Sequence, residues 1–162
     1  MERKRLRKLV LGGLSAAIIT IMTALVKLPV PASGGYVHPG DGAIFLAAAL
    51  LGPYAAIPAA LGSALADILG GYMIYALPTA AIKGMMGWLA GKLARGDAPV
   101  QSAWVFALCE CVMAAGYFLF EWAAFGAGAA FGALGPNLLQ GAAGVIFGCV
   151  LSQAAVRMKR RI

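Results

Sequence analysis

Charge is the scarcest component of this 162-residue sequence. Only 12% of the residues are charged and 62% are hydrophobic, whereas a soluble domain usually carries about 25% charged residues. Lysine and arginine are absent between positions 27 and 83, and again between positions 95 and 157. These stretches exclude an ordinary soluble domain and predict a membrane protein. The length leaves room for one compact bundle, residues 1–162, and no second domain.

Residues that carry catalytic chemistry are also scarce. The chain has one histidine, no cluster of metal ligands, and no glycine-rich phosphate loop followed by Lys-Ser/Thr. We therefore predict no enzymatic activity, no metal and no cofactor. Cys109, Cys111 and Cys149 lie in apolar stretches, which is typical of small buried side chains. Cys109 and Cys111 would point about 200° apart on a helix, which argues against a redox or metal pair.

Most of the basic residues lie at the two ends of the chain, at positions 3–8 and 157–161. Lysine and arginine accumulate in the cytoplasmic loops of helical membrane proteins. Both termini are therefore predicted to be cytoplasmic, which requires an even number of crossings. Because orientation already accounts for the net charge of +7, the sequence predicts no nucleic-acid partner.

The apolar segments predict an all-α membrane protein, a six-transmembrane-helix bundle with spans at residues 9–29, 41–51, 55–69, 75–93, 102–125 and 136–156. Residues 30–39 and 126–135 are predicted to be outer loops because of their proline or glycine content. The second segment covers only about 16 Å as a helix, too little to cross a bilayer alone. Lys27, near the outer end of the first helix, is predicted to extend its amine to the membrane interface.

Polar groups within a span cost free energy unless they are paired, so they mark candidate functional positions. In the predicted orientation most of them lie toward the outer ends of the spans, which suggests a pocket open to the exterior. Glu121 has aromatic neighbours, a combination that suits a flat heterocycle with N–H or cationic groups. The other candidates are His38, Asp41, Asp67, Tyr75, Tyr117, Asn137 and Gln140, with Lys83 at greater depth.

Several of these residues have structural alternatives. Lys83 and Glu110 have similar predicted depths, so they are expected to form a buried ion pair with a mainly structural role. Asp41 could instead be the N-cap of its helix. His38 could satisfy the backbone of its own loop, and Trp122 could be an aromatic residue of the membrane interface.

Small residues form two closely related faces on the first helix. Gly12-x-x-x-Ala16 and Gly13-x-x-x-Ala17 each let another helix approach closely. Docking of a partner protein and packing within the bundle have equal weight as explanations. The glycines of the fourth helix, at positions 84, 87 and 91, favour internal packing.

Four parts of the chain resemble the S components of energy-coupling factor (ECF) vitamin transporters, the small substrate-binding membrane subunits. The parts are Tyr36-Val-His-Pro-Gly-Asp-Gly-Ala-Ile44; Leu51-Gly-Pro53 with Gly62-Ser-Ala-Leu-Ala-Asp67-Ile-Leu-Gly-Gly-Tyr72; Ile82-Lys-Gly-Met-Met-Gly87; and Gly116-Tyr-Phe-Leu-Phe-Glu121 with Pro136-Asn-Leu-Leu-Gln140-Gly. Together they extend over nearly the whole chain. The resemblance implies a six-helix bundle in a prokaryotic plasma membrane, with an outward pocket.

The resemblance also implies the partners of the chain. The first helix would dock on a transmembrane T subunit through Gly12 and Ala16 or through Gly13 and Ala17. Two ATPase subunits would power uptake, so ATP hydrolysis would come from other chains.

The pattern looks closest to the branch associated with vitamin B6, hydroxymethylpyrimidine and related heterocycles. In that branch Glu121, Asn137 and Gln140 would bond the ring substituents, and Tyr36, Tyr75 or Tyr117 would stack on the ring or close over it. Riboflavin and pantothenate are alternative substrates. From other classes, a structural subunit without a ligand, a membrane redox enzyme and a stand-alone channel or carrier are the competing hypotheses.

Overall fold

Backbone amides find no water in the hydrocarbon of a bilayer, so apolar segments of this length fold as helices. The computed structural model describes residues 2–26, 28–30, 35–94 and 99–159. Within them are six α-helices: α1 (Glu2–Ala24), α2 (Gly40–Leu51), α3 (Ala56–Leu69), α4 (Ala76–Leu93), α5 (Pro99–Phe125) and α6 (Ala127–Lys159). Lys27 and its predicted contact with the membrane interface lie outside the described residues.

Four continuous stretches of the described chain are long and apolar enough to cross a membrane: Glu2–Ala24, Gly40–Leu69, Val100–Phe125 and Ala127–Ala155. The second of them is not one straight helix. α2 ends at Leu51, directly before Gly52, whose φ of 60° is readily accessible only to glycine, and a 3₁₀ turn, Gly52–Ala55, leads into α3. α2 and α3 are therefore separate short helices of 12 and 14 residues.

Contacts at the two ends of α2 show that this helix runs in the same direction as α4. Asp41 in its first turn pairs with Lys83, and Gly52 at its end lies against Gly91 in the last turn of α4. α3 runs the opposite way, because Ala55 at its start lies beside Gly87. The chain thus reverses at Gly52, which positions the start of α2 deep in the bundle.

The remaining helices continue this alternation. α1 runs parallel to α3, since Gly12 lies near Tyr54 and the carbonyl of Ala16 lies near Gly62. α5 and α6 are antiparallel, joined at Gly126, whose φ is 89°. The core centres on α2, which packs against buried residues of α1, α3, α4 and α5, and there Phe45 of α2 stacks on Phe106 of α5. Successive helices therefore alternate in direction through the whole described bundle.

The segment after α1 differs from the prediction. α1 begins at Glu2, so the basic residues at positions 3–8 are helical, and it ends at Ala24 rather than at residue 29. Strands β1 (Leu28–Val30) and β2 (Gly35–Val37) pair antiparallel, where the sequence predicted the end of the first span, at residue 29, followed by a loop. Valine favours strands, and pairing satisfies backbone groups that a loop would leave exposed. The all-α prediction therefore needs this hairpin added to it.

The predicted outer loop at residues 126–135 is wrong. α6 begins at Ala127, and Pro136 lies inside it. Alanine is the strongest helix former, and a helix satisfies the backbone groups of this apolar segment, so the glycines do not break it. The other predicted spans agree with the observed helices to within about three residues, which is the usual uncertainty at helix ends.

Replacing Gly91 by alanine tests the close approach of α4 to the reversal at Gly52. A Cβ at Gly91 would clash with the carbonyl oxygen of Gly52, and backbone atoms cannot move aside cheaply. We expect the free energy of unfolding to fall by about 1–3 kcal/mol, which would lower the thermal unfolding midpoint in detergent. The matched control is Gly132→Ala, because a Cβ there meets nothing within 4 Å. Equal midpoints for the two variants would contradict this packing.

Candidate functional site

A cavity of about 430 Å³ lies between the ends of α3, α4, α5 and α6 that face the hairpin. Its lining contains eight of the residues that the sequence predicted for a binding site: His38, Asp67, Tyr75, Lys83, Tyr117, Glu121, Asn137 and Gln140. Asp41 lies behind this lining, bonded to Lys83 and Gln140. The side chain of Tyr36 lies outside the described residues.

One wall of the cavity is a ladder of three contacts between α4 and α5. The Tyr75 hydroxyl, in a 3₁₀ turn just before α4, donates to Glu121 Oε1 at 3.4 Å. The hydroxyls of Thr79 and Tyr117 lie 2.9 Å apart, and Lys83 Nζ lies 2.9 Å from the sulfur of Met113. Successive contacts are four residues apart in both helices, which is about 6 Å along the helix axis. The wall therefore extends about 12 Å from Glu121 to Lys83.

The floor of the cavity is a buried ion pair. Lys83 Nζ lies 2.5 Å from Asp41 Oδ1, and the two side chains are only 6% and 1% exposed. Gln140 Nε2 donates to the second carboxylate oxygen of Asp41 at 2.7 Å. The N-cap residue of α2 is Pro39, and no side chain caps this helix. The alternative that Asp41 is the N-cap is therefore wrong.

Gln140 also holds the end of the hairpin against α6. Its Oε1 accepts from the backbone N–H of His38 at 3.0 Å, and its Nε2 donates to the His38 carbonyl at 3.1 Å. His38 Nδ1 in turn accepts from the N–H of Gly40, as expected for a residue that satisfies its own loop. The amide of Gln140 is thus already committed to protein partners, although the residue lines the cavity.

The predicted ion pair between Lys83 and Glu110 is wrong. Lys83 pairs with Asp41, because α2 is short and its first turn lies at the depth of Lys83. Glu110 is 5% exposed, and neither of its carboxylate oxygens has a hydrogen-bond partner among the described residues. It lies against α6 at Gly141 and Gly144, where a Cβ would approach its side chain closely.

Two carboxylate oxygens at the other end of the cavity have no hydrogen-bond partner in the described structure. They are Asp67 Oδ2, in the last turn of α3, and Glu121 Oε2, near the end of α5. Glu121 is only 7% exposed. A buried acceptor without a donor is costly, so these oxygens are well placed to bind N–H groups of a ligand.

Of the other lining residues, Tyr72 directly precedes the 3₁₀ turn that carries Tyr75, and sequence reasoning missed five: Thr23, Ser63, Thr79, Met113 and Pro136. Four of these carry a signal that was available, since each precedes a predicted site residue by four positions and shares its helix face. Ser63 precedes Asp67, Thr79 precedes Lys83, Met113 precedes Tyr117, and Pro136 precedes Gln140. Thr23 has no such signal.

Trp122 and the cysteines lie away from the cavity. Trp122 is half-exposed and packs edge-on against Phe118, as expected for an aromatic residue of a membrane interface. Cys109 is buried, whereas Cys111 is exposed on the opposite face of α5, so the prediction of burial is wrong for Cys111. No group of three or more metal-binding side chains occurs in the described part of the chain.

The two small-residue faces of α1 have different environments. Gly12 and Ala16 face inward, beside Tyr54 and Gly62. Gly13 and Ala17 are exposed, and a Cβ at Gly13 would meet nothing within 4 Å. The glycines of α4 pack internally against α3 and the reversal that precedes it, as predicted.

One family profile and two known proteins are similar to this chain over most of its length. The family profile described as ECF-type riboflavin transporter, S component, matches residues 3–157. The thiamine precursor transporter HmpT of Lactococcus lactis subsp. cremoris (strain MG1363) is 30% identical over 155 residues, 94% of this chain and 89% of that protein. An "uncharacterized protein in gap 3'region" of Pyrococcus woesei is 36% identical over 132 residues, 80% of this chain and 88% of that protein.

Replacing Asp41 by asparagine tests the ion pair at the cavity floor. The variant leaves the buried ammonium of Lys83 without its counter-charge, so we expect the free energy of unfolding to fall by about 3–5 kcal/mol. Thermal unfolding in detergent measures this loss. Glu110→Gln is the matched control, because it also removes one buried carboxylate but breaks no hydrogen bond in the described structure. A second change, Lys83→Met, should recover part of the loss. Equal effects of Asp41→Asn and Glu110→Gln would contradict the pairing.

Proposed function

The chain belongs to the family of ECF-type riboflavin transporter S components, and we propose that it captures a small aromatic vitamin or vitamin precursor outside a prokaryotic cell. In this proposal it delivers the ligand for uptake through the plasma membrane, and the energy comes from other chains. The cavity is the ligand site.

The observation that carries the proposal is the pair of unpartnered carboxylate oxygens facing the cavity, on Asp67 and Glu121. Drug-sized ligands occupy cavities of about 300–1,000 Å³, and this one measures about 430 Å³. Tyr75 and Tyr117 supply aromatic surface beside the two acceptors. Acceptors next to aromatic rings suit a flat heterocycle that carries amino or hydroxyl groups.

A hydroxymethylpyrimidine-like or vitamin B6-like heterocycle is the favoured substrate. Support comes from the relative named as a thiamine precursor transporter and from the acceptor-rich outer end of the cavity. Riboflavin is the second candidate, supported by the name of the family profile. Both ligands are flat and bear hydrogen-bond donors, so the same residues would serve either one.

The polar residues of the site divide into two groups in this proposal. Glu121, Asp67 and Asn137 contact the substituents of the ligand, and the aromatic rings of Tyr75 and Tyr117 pack on its faces. Gln140 and Asp41 hold the floor and the hairpin in place, because their polar atoms already have protein partners. Lys83 forms the floor. His38 and Tyr36 belong to the hairpin end that covers the site.

We also propose that all six helices cross the membrane, with both termini in the cytoplasm. The alternating directions of successive helices support an even number of crossings. The exposed basic residues at positions 3–8 of α1 support the orientation. α2 and α3, of 12 and 14 residues, are each shorter than the bilayer core of about 30 Å, so in this proposal the non-helical segments at their ends complete their crossings. This orientation opens the cavity to the exterior.

The partners in this proposal are a transmembrane T subunit and two ATPase subunits. The exposed face of α1 at Gly13 and Ala17 is the docking surface, because the alternative pair at Gly12 and Ala16 is occupied by α3 and the turn before it. Small residues let a partner helix approach its backbone closely.

Ligand titration tests the proposed site. We expect purified protein to bind hydroxymethylpyrimidine, pyridoxine or riboflavin in calorimetry, and mass spectrometry to find the favoured ligand co-purified. Glu121→Gln and Asn137→Ala should each weaken binding about 10- to 100-fold, since a hydrogen bond to a charged group contributes about 1.5–3 kcal/mol. Gln101→Ala, on the exposed surface of α5, is the control and should bind normally. Full affinity in both site variants would refute the pocket, and no binding across a vitamin panel would favour a structural subunit.

Replacing Gly13 by leucine tests the docking surface. The side chain would project into open space, so the isolated protein should keep its thermal midpoint and its ligand affinity. Uptake by cells that also express the T and ATPase subunits should fall at least about tenfold, because the partner helix could no longer approach. Gly132→Leu, at another open position, controls for added bulk on the membrane surface. Normal uptake by Gly13→Leu would exclude this face.

A further inference from the structure

Negative charge predominates around the cavity. Its described lining contains two carboxylates, Asp67 and Glu121, and one lysine, Lys83. No arginine lines it in the described part of the chain. His38 accepts a hydrogen bond at Nδ1 from the N–H of Gly40. The outer end of the cavity, where the two carboxylates lie, is therefore anionic, and the lysine is at the floor.

The charge of that cation is already balanced. Asp41 lies in direct contact with the ammonium of Lys83, and Gln140 holds the same carboxylate from the other side. Both members of the pair are buried, so water screens the pair little and Asp41 cannot move away at low cost. Lys83 still has N–H groups to donate, but the pair as a whole presents no net positive charge to a ligand.

A phosphate group would consequently meet an unfavourable site in either orientation of a ligand. With the ring at the floor, the phosphate would lie beside Asp67 and Glu121. With the phosphate at the floor, it would lie beside Lys83, whose counter-charge is already supplied by Asp41. A phosphate monoester carries a charge of about −1.5 to −2 at neutral pH, and like charges brought together in a partly buried site repel strongly.

We infer that the site selects the unphosphorylated form of its heterocycle and rejects the corresponding phosphate monoester. The inference rests on the proposed function, because it concerns the ligand of the same cavity. It names a class of substrate, a neutral or cationic flat heterocycle with donor groups directed at Asp67 and Glu121. It also excludes an anionic class that shares the same ring.

Paired titrations test the inference. Purified full-length protein is titrated at fixed salt and pH 7.5 with hydroxymethylpyrimidine, pyridoxine and riboflavin, each beside its own monophosphate. For whichever parent compound binds, we expect the phosphate ester to bind at least about 100-fold more weakly. A phosphate ester that binds as tightly as its parent would overturn the inference and leave the proposed function intact. If no parent compound binds, the proposed function fails and the inference with it.

Charge-neutral variants test the physical cause. The double change Asp67→Asn and Glu121→Gln keeps the size of both side chains and removes two negative charges. The difference in affinity between the phosphate ester and its parent compound should then become at least about tenfold smaller, even though the parent also binds less tightly. Glu2→Gln, an exposed carboxylate at the far end of α1, is the control and should leave the ratio unchanged. An unchanged ratio in the double variant would contradict the electrostatic origin. The wild-type ratio is decisive if that variant does not fold.

Discussion

The buried contact between Lys83 and Asp41 is the constraint on which the site depends. An isolated charge at this depth would cost several kcal/mol, so each residue requires the other. The contact forms because the short helix α2 begins at the depth of Lys83. Gln140 completes it by binding the same carboxylate and the backbone of His38. One polar network thus connects α2, α4, α6 and the hairpin beneath the cavity.

The cavity follows from the same short helix. α2 occupies only the part of the bundle away from the hairpin, so the ends of α3 to α6 that face the hairpin lack a central neighbour and surround a space instead. The ladder between α4 and α5 keeps one wall of that space regular, since its contacts repeat every four residues on both helices. Tight glycine contacts, as at Gly91 and Gly148, fill the opposite end of the bundle. The same six helices are therefore densely packed at one end of the bundle and surround an open site at the other.

Much of this arrangement could be predicted from the sequence, because hydropathy, charge distribution and turn residues are local signals. The helix ends at Leu51, Leu69, Leu93 and Phe125 agree with the prediction. The partner of Lys83 was predicted wrongly because it depends on how deep α2 begins, which no count along a single helix reveals. The helical start of α6 was missed for another reason, because glycine in an alanine-rich apolar segment does not end a helix when the backbone has no water to bond.

The polar groups of the site differ in whether the protein already satisfies them, and this difference carries the functional argument. Asp41 and Gln140 have protein partners for their side-chain polar atoms, as expected of residues that build a scaffold. Asp67 and Glu121 each have an oxygen without a partner in the described structure. A membrane protein gains nothing in stability from such acceptors, because each is costly when left unpaired. A ligand with N–H groups would satisfy both, which is why the proposed function places ligand recognition at this end of the cavity.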